Sequence, residues 1–213
     1  MNRRHFNWLA LLAAGMGVWS SAQSQPAADR TLLVVGDSLS AEYGLKRGTG
    51  WVALLGEKVQ GTGWRVVNAS VSGDTTSGGR SRLNALLTQH RPAIVIIELG
   101  GNDALRGLPL PMTRDNLTAM ASQSRSAGAQ VLLLGMQMPP NYGAQYAKDF
   151  QNMYRDISRQ LNTGLVPFFL KNVADIAQST ALFQADRIHP NESAQALMLA
   201  NVWPDLNKLM KKR

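Results

Sequence analysis

Four short polar stretches hold the residue types that could carry out acyl transfer: Gly36-Asp37-Ser38-Leu39-Ser40, Ser72-Gly73-Asp74, Gly100-Gly101-Asn102-Asp103 and Asp186-Arg187-Ile188-His189-Pro190-Asn191. Ser38 is the candidate nucleophile, but a free hydroxyl is too weakly acidic at neutral pH to attack unaided and needs a base. Beyond the N-terminal leader the chain has two histidines, His90 and His189. His90 precedes Arg91-Pro92, the ordinary place for an exposed, helix-closing histidine. Asp186 precedes His189 by three residues, so its carboxylate can bond one ring nitrogen and leave the other to face the hydroxyl. Hydrolysis also needs donors for the oxyanion, and the candidates are the N–H of Ser38, the N–H of Gly73 and the amide of Asn102. Each residue has a structural reading as well: Asp37 and Ser38 as strand terminators, Gly73 as a turn glycine, Asn102 as a cap. Five such residues in turns of one chain point to a site.

The elements that must position them can be read from hydrophobic pattern. Residues 31–35, 65–68, 93–99, 131–135 and 165–168 are short apolar runs of strand character. Between and after them, residues 51–59, 79–90, 113–127, 142–161 and 194–210 read as helices, with Pro204 expected to kink or split the last. Strands alternating with helices predict a parallel sheet covered on both faces, a three-layer α/β/α sandwich of about five strands. Parallel strands send the turns after the first three to one edge, the edge where open α/β sheets hold their ligands. Gly48-Thr49-Gly50 with Ala53 superficially matches a dinucleotide fingerprint. The first strand ends a dozen residues earlier, so the tight strand-to-helix turn that mechanism needs is missing.

Composition narrows the class further. A chain of 213 residues with 45% hydrophobic content suits a single domain, here residues 25–213. With no cysteine, disulfides, thiolate metal sites and thiol nucleophiles are excluded, and two separated histidines do not make a zinc motif. No metal or other cofactor is expected. The 22 basic and 14 acidic residues give +8, and loss of a leader holding Arg3 and Arg4 lowers this to +6. Four of the last six residues are basic, which suits a solvated helix end better than a nucleic-acid surface. Arg3 and Arg4, an apolar run over residues 8–19 and the small residues from Ser20 to Ser24 make a cleavable secretory signal over residues 1–24. That run is too short to anchor the protein in a bilayer, so a periplasmic or secreted protein is expected. The arginine pair also matches a twin-arginine signal, although the hydrophobic run alone is adequate for ordinary secretion.

The four polar stretches, taken in order, resemble the sequence blocks of the SGNH hydrolases, also called GDSL esterases. They span residues 36–191, nearly the whole of the chain beyond the leader. The wording LLVVGDSLSAEYG, NASVSGDT, ELGGNDALRG and Pro140-Asn141-Tyr142-Gly143 is similar to the bacterial periplasmic thioesterase, lysophospholipase and arylesterase branch. The resemblance implies a flavodoxin-like sandwich with strand order 2-1-3-4-5. It also implies Ser38 as nucleophile, His189 as base, Asp186 as its orienter, and Ser38, Gly73 and Asn102 as the oxyanion hole. Glu42 departs from the small residue or glycine expected there and would put an extra carboxylate near the nucleophile turn.

The reaction expected is two-step hydrolysis of a carboxylic ester or thioester, acting on a small-molecule acyl substrate as a monomer. Leu105, Leu108 and Pro109 after the Asn102 turn, and Met138, Pro139 and Tyr142 after the fourth strand, are the candidate lining of an apolar acyl groove. Such a lining favours medium- to long-chain acyl esters, acyl-CoA thioesters or lysophospholipids. The alternatives are a carbohydrate or peptidoglycan O-acetylesterase on the same fold, and a catalytically silent lipid-binding protein. Pure binding gives no reason for the Ser, Gly, Asn and His set.

Overall fold

Successive side chains of a strand point to opposite faces, so a strand apolar at every position must be covered on both sides. Leu32 to Val35 and Ile94 to Ile97 are of this kind, with exposures of 0 to 1%. The computed structural model describes residues 30–138 and 140–212; the expected leader and Pro139 lie outside them. Strands β1 (Arg30–Gly36), β2 (Trp64–Asn68), β3 (Ile94–Glu98), β4 (Gln130–Leu134) and β5 (Gly164–Val166) form one sheet in the order β2-β1-β3-β4-β5. Every pairing is parallel.

Leu32, Val34, Ile94, Ile96, Leu132 and Leu134 face helices α1 (Trp51–Val59) and α6 (Glu192–Lys211). Leu33, Val35, Val95, Ile97 and Leu133 face α2 (Thr76–His90), α4 (Leu110–Ser126) and α5 (Ala144–Leu161). The result is the expected three-layer α/β/α sandwich. Because the chain steps from β1 outward to β2 and then back to β3, the segments leaving β1 and β3 diverge to opposite faces. The crevice between them is the topological switch point, where an open α/β sheet binds ligands.

The structure departs from the sequence expectation at several ends. α2 starts at Thr76 rather than residue 79, because the Thr75 side chain caps it by accepting from the Gly78 N–H and the buried Asp103 carboxylate accepts from the Thr76 N–H. α4 begins three residues early, with proline in its first turn, where no N–H is needed. Pro140–Tyr142 form a separate 3-10 turn before α5. α6 is not split: it runs through the exposed Pro204, where the carbonyl freed by proline can turn to water. A five-residue helix, α3 (Gly101–Leu105), was not expected from the sequence.

Gly100 sets the entry to α3. Its φ of 118° lies in the region that L side chains avoid, and an added Cβ would run into the Tyr154 hydroxyl. That hydroxyl donates to the Leu99 carbonyl at 2.9 Å from within the core. Gly100→Ala is expected to destabilise by about 1–3 kcal/mol through backbone strain and the clash. At this chain length that lowers Tm by roughly 2–4 °C per kcal/mol in a thermal melt. An unchanged Tm would show that the turn has slack.

Candidate active site

Immediately after β1 the Asp37 carbonyl accepts from the N–H groups of Ser40 (3.2 Å) and Ala41 (2.9 Å), and Asp37 Oδ1 accepts from the Leu39 N–H at 3.0 Å. This Asx-type turn lifts Ser38, half-buried, to the carboxyl edge of the sheet. His189 arrives from the far end of the chain. The loop that carries it is pinched at its base by Gln184 N–H to the His189 carbonyl and Asn191 N–H to the Leu182 carbonyl, each 2.8 Å, with an isolated bridge between Phe183 and Pro190. Asn191 also caps α6 by accepting from the Ser193 N–H.

These turns bring Ser38, His189 and Asp186 together. His189 Nε2 lies 2.9 Å from Ser38 Oγ, and Nδ1 lies 2.7 Å from Asp186 Oδ2. Asp186 Oδ1 accepts from the backbone N–H groups of Ile188 (2.9 Å) and His189 (3.0 Å). Those bonds, led by the His189 N–H and then its ring, hold the Asp186 carboxyl down to about 2. A carboxyl depressed on folding stabilises the fold above its unfolded value and loses that contribution as pH falls through about 2. Asp186 is therefore ionised throughout the range in which an esterase is assayed. The tilted Tyr43 ring sits 4.4 Å, centroid to centroid, from the His189 ring; spacing gave no signal for that contact.

The candidate oxyanion donors face the same crevice. Among the described residues the N–H groups of Ser38 and Gly73 donate to no backbone acceptor. Arg106 Nη2 donates to the Gly73 carbonyl at 2.7 Å, and Asp74 is paired with Arg82 at 2.8 Å, so the Gly73 turn is braced from two sides. Asn102 Nδ2 donates to Asp37 Oδ2 and to the Asp74 carbonyl, both at 3.0 Å. Both amide protons of Asn102 are thus engaged, one by a carboxylate and one by a carbonyl. Glu42 spends its carboxylate on backbone donors. Its carboxylate accepts from the N–H groups of Gly48 (3.0 and 3.1 Å) and Gly50 (2.9 Å), and so pins the loop that leads into α1.

A hydroxyl, an imidazole and a carboxylate in one hydrogen-bonded line, beside unpaired N–H groups, can carry out acyl transfer. Comparison with known proteins decides the family. Residues 34–197 match the model of the GDSL-like lipase/acylhydrolase family. Esterase TesA of Pseudomonas aeruginosa is 51% identical over 189 residues, which cover 88% of this chain and 92% of that protein. Thioesterase 1/protease 1/lysophospholipase L1 of Escherichia coli is 43% identical over 169 residues, 79% of each chain. A crystal structure of TesA superposes with a TM-score of 0.80 at 52% identity, covering 84% of this chain and 99% of that one. The chain belongs to the GDSL-like lipase/acylhydrolase family. It is thus a hydrolase of the esterase type, on the fold described above.

In this acylhydrolase an apolar groove of about 300 Å³ opens beside the Ser38 crevice. Of the residues expected to line it, Leu105 and Met138 do so. Leu108 is half-buried, Pro109 caps α4 and Tyr142, 39% exposed, belongs to the 3-10 turn; none of the three lines the groove, and Pro139 lies outside the described residues. Met136, Phe183 and Ile188 line it instead, with the Arg187 side chain at its wall. Ile188 was the legible one, since it lies between Asp186 and His189. A larger cleft of about 440 Å³, lined by Arg125, Gln130 and Lys212, lies at the opposite edge of the sheet, away from these groups. Among the described residues no group of three or more His, Asp or Glu could hold a metal ion, and no helix is long and apolar enough to cross a membrane.

Proposed function

We propose that the GDSL acylhydrolase uses Ser38 as nucleophile and His189 as general base. Asp186 holds the imidazole in the tautomer with Nδ1 protonated, so that Nε2 can take the hydroxyl proton. The acyl-enzyme forms as the proton passes to the leaving group, and water activated by the same imidazole releases the acid. Ser38, Gly73 and Asn102 stabilise the oxyanion. The observation that carries this reading is the continuous line from Asp186 through His189 to Ser38. Because the base must be neutral, activity declines on acidification; a rate–pH profile flat down to pH 4 would contradict it.

The groove supports medium- to long-chain acyl groups as substrates. The names of the two relatives support esters, thioesters and lysophospholipids as the classes to test. Burying each methylene is worth about 0.8 kcal/mol, roughly fourfold in kcat/KM, until the groove is full. A decanoyl p-nitrophenyl ester is therefore expected to exceed the acetyl ester on the order of a hundredfold. Equal values for the two would remove the groove from the mechanism and favour the O-acetylesterase reading. The leader supports export to the periplasm or medium, checked by fractionation of cells with and without residues 1–24; a monomer is the expected state, checked by sizing of the exported protein.

A further inference from the structure

Two carboxyl groups without a role in the acyl transfer lie under the Ser38 turn. Glu98, the last residue of β3, is 1% exposed and Asp37 is 3% exposed. β1 and β3 pair with Gly36 opposite Glu98, which sets the Glu98 side chain beneath the turn that follows Gly36. Glu98 Oε2 accepts from Ser40 Oγ at 2.7 Å and from the Asp37 N–H at 3.3 Å. Ser40 Oγ in turn accepts from Trp51 Nε1 at 3.2 Å. Gly36 leaves the room this needs, since a Cβ there would lie 2.8 Å from both Glu98 Oε2 and Ser40 Oγ.

The hydrogen-bond inventory says where the proton is. Asp37 Oδ1 accepts from the Leu39 N–H and Oδ2 from Asn102 Nδ2, so both its oxygens face donors. The Asp37 N–H reaches Glu98 Oε2, so the two buried carboxyl groups share one cluster, and two carboxylates buried this close do not both ionise readily. Asp37 meets donors at both oxygens whereas Glu98 meets them at Oε2 alone, which leaves Oε1 to carry the proton. Burial acts in the same sense: it pushes Glu98 well above its ordinary value, and pushes Asp37 up to about 6. The other ionisable groups that bear on the pair are His189 in the turn before α6, and Tyr154 on α5, which also senses Asp103 on α3.

We infer that Glu98 is a neutral acid whose lack of charge keeps Asp37 ionised, and that Asp37 holds one proton of the Asn102 amide so that the other, which rests on the Asp74 carbonyl, is the one given to the oxyanion. Glu98 and Asp37 are positioning residues, and the inference rests on Asn102 being an oxyanion donor. An asparagine at position 37 cannot replace the carboxylate. Whichever way its amide is turned, its NH₂ meets either the Leu39 N–H or the Asn102 NH₂. A glutamine at position 98 can replace the acid, because it is neutral and its carbonyl can accept from Ser40 and the Asp37 N–H as Glu98 does.

The test measures kcat and KM of D37N, E98A, E98Q and N102A on one acyl ester, with thermal melts as the check on folding. D37N and N102A are each expected to lose about 10²- to 10³-fold in kcat with KM within about threefold, the range for one lost oxyanion donor. E98Q is expected to recover most of the kcat that E98A loses. The melts supply an independent sign. An acid whose pKa is raised on folding stabilises fully below its unfolded value and loses that contribution as pH rises. Native Tm should therefore fall more steeply from pH 5 to pH 9 than that of E98Q, even if E98A and D37N do not fold. If D37N keeps native kcat while N102A does not, or if native and E98Q melts run parallel across that range, the inference is overturned. Native kcat in N102A would instead overturn the oxyanion role of Asn102 itself.

Discussion

Ser38→Ala is expected to lower kcat on a medium-chain ester by about 10⁴- to 10⁶-fold, with Tm almost unchanged. The loss is expected to be large because, among the described residues, the Ser38 hydroxyl is the group hydrogen-bonded to His189 Nε2, and the proposed acyl-enzyme forms on it. What survives is the rate supplied by binding and the oxyanion donors acting on a water molecule. Stability is spared because Ser38 is half-buried and its hydroxyl contacts a histidine that Asp186 already orients. Removing a polar group of this kind changes stability by about 0.5 kcal/mol or less. A steady-state assay with a melt of the same preparation checks both halves. A loss of less than tenfold, or a Tm lowered by many degrees, would move Ser38 from chemistry to structure.

Asp186→Asn is expected to cost about 10⁴-fold in kcat while the loop keeps its shape, the size of effect a reversed histidine tautomer produces. Asp186 Oδ1 accepts two backbone N–H groups, so the asparagine carbonyl is obliged to take that position. Its NH₂ then faces His189 Nδ1, which becomes the acceptor. The ring proton is driven to Nε2, where it opposes the Ser38 hydroxyl instead of receiving its proton. Substitution by alanine frees the imidazole to choose its tautomer, so D186A is expected to retain more activity than D186N. With its carboxyl held down to about 2, Asp186 keeps its charge, and so its hold on the ring, across the pH range of such an assay. Single-turnover acylation rates of both variants across pH check the order; D186N faster than D186A would contradict it.

Much of this molecule was legible because its decisive residues are local in sequence. The apolar runs that became β1 and β3 are buried on both faces, and a continuous run of Leu, Val and Ile allows little else. Ser38 and His189 stand in turns between elements and Asn102 at the start of the short α3 that follows β3, and parallel pairing carries the segments after β1 and β3 to one edge. Tertiary features were less visible. α3 has no apolar periodicity to announce it, and it depends on the unusual φ of Gly100 and on the Asp103 carboxylate held by Thr76 and Thr113. The groove is expected at the residues that follow the Asn102 turn and the fourth strand; Leu105 and Met138 line it, Leu108, Pro109 and Tyr142 do not, and Met136 and Phe183, segments apart along the chain, complete its wall. The Asp37–Glu98 contact depends on strand register, which patterning alone does not specify. For Glu42 the sequence shows an extra carboxylate near the nucleophile turn, but not that it would be engaged by the backbone N–H groups of Gly48 and Gly50.

The most direct test of the central claim is intact-protein mass spectrometry after reaction with a serine-directed organophosphonate, followed by peptide mapping. The account predicts one adduct per chain, located on Ser38, formed more slowly when His189 is replaced and not formed at all in Ser38→Ala. Stoichiometric labelling of Ser38→Ala at the native rate would contradict it.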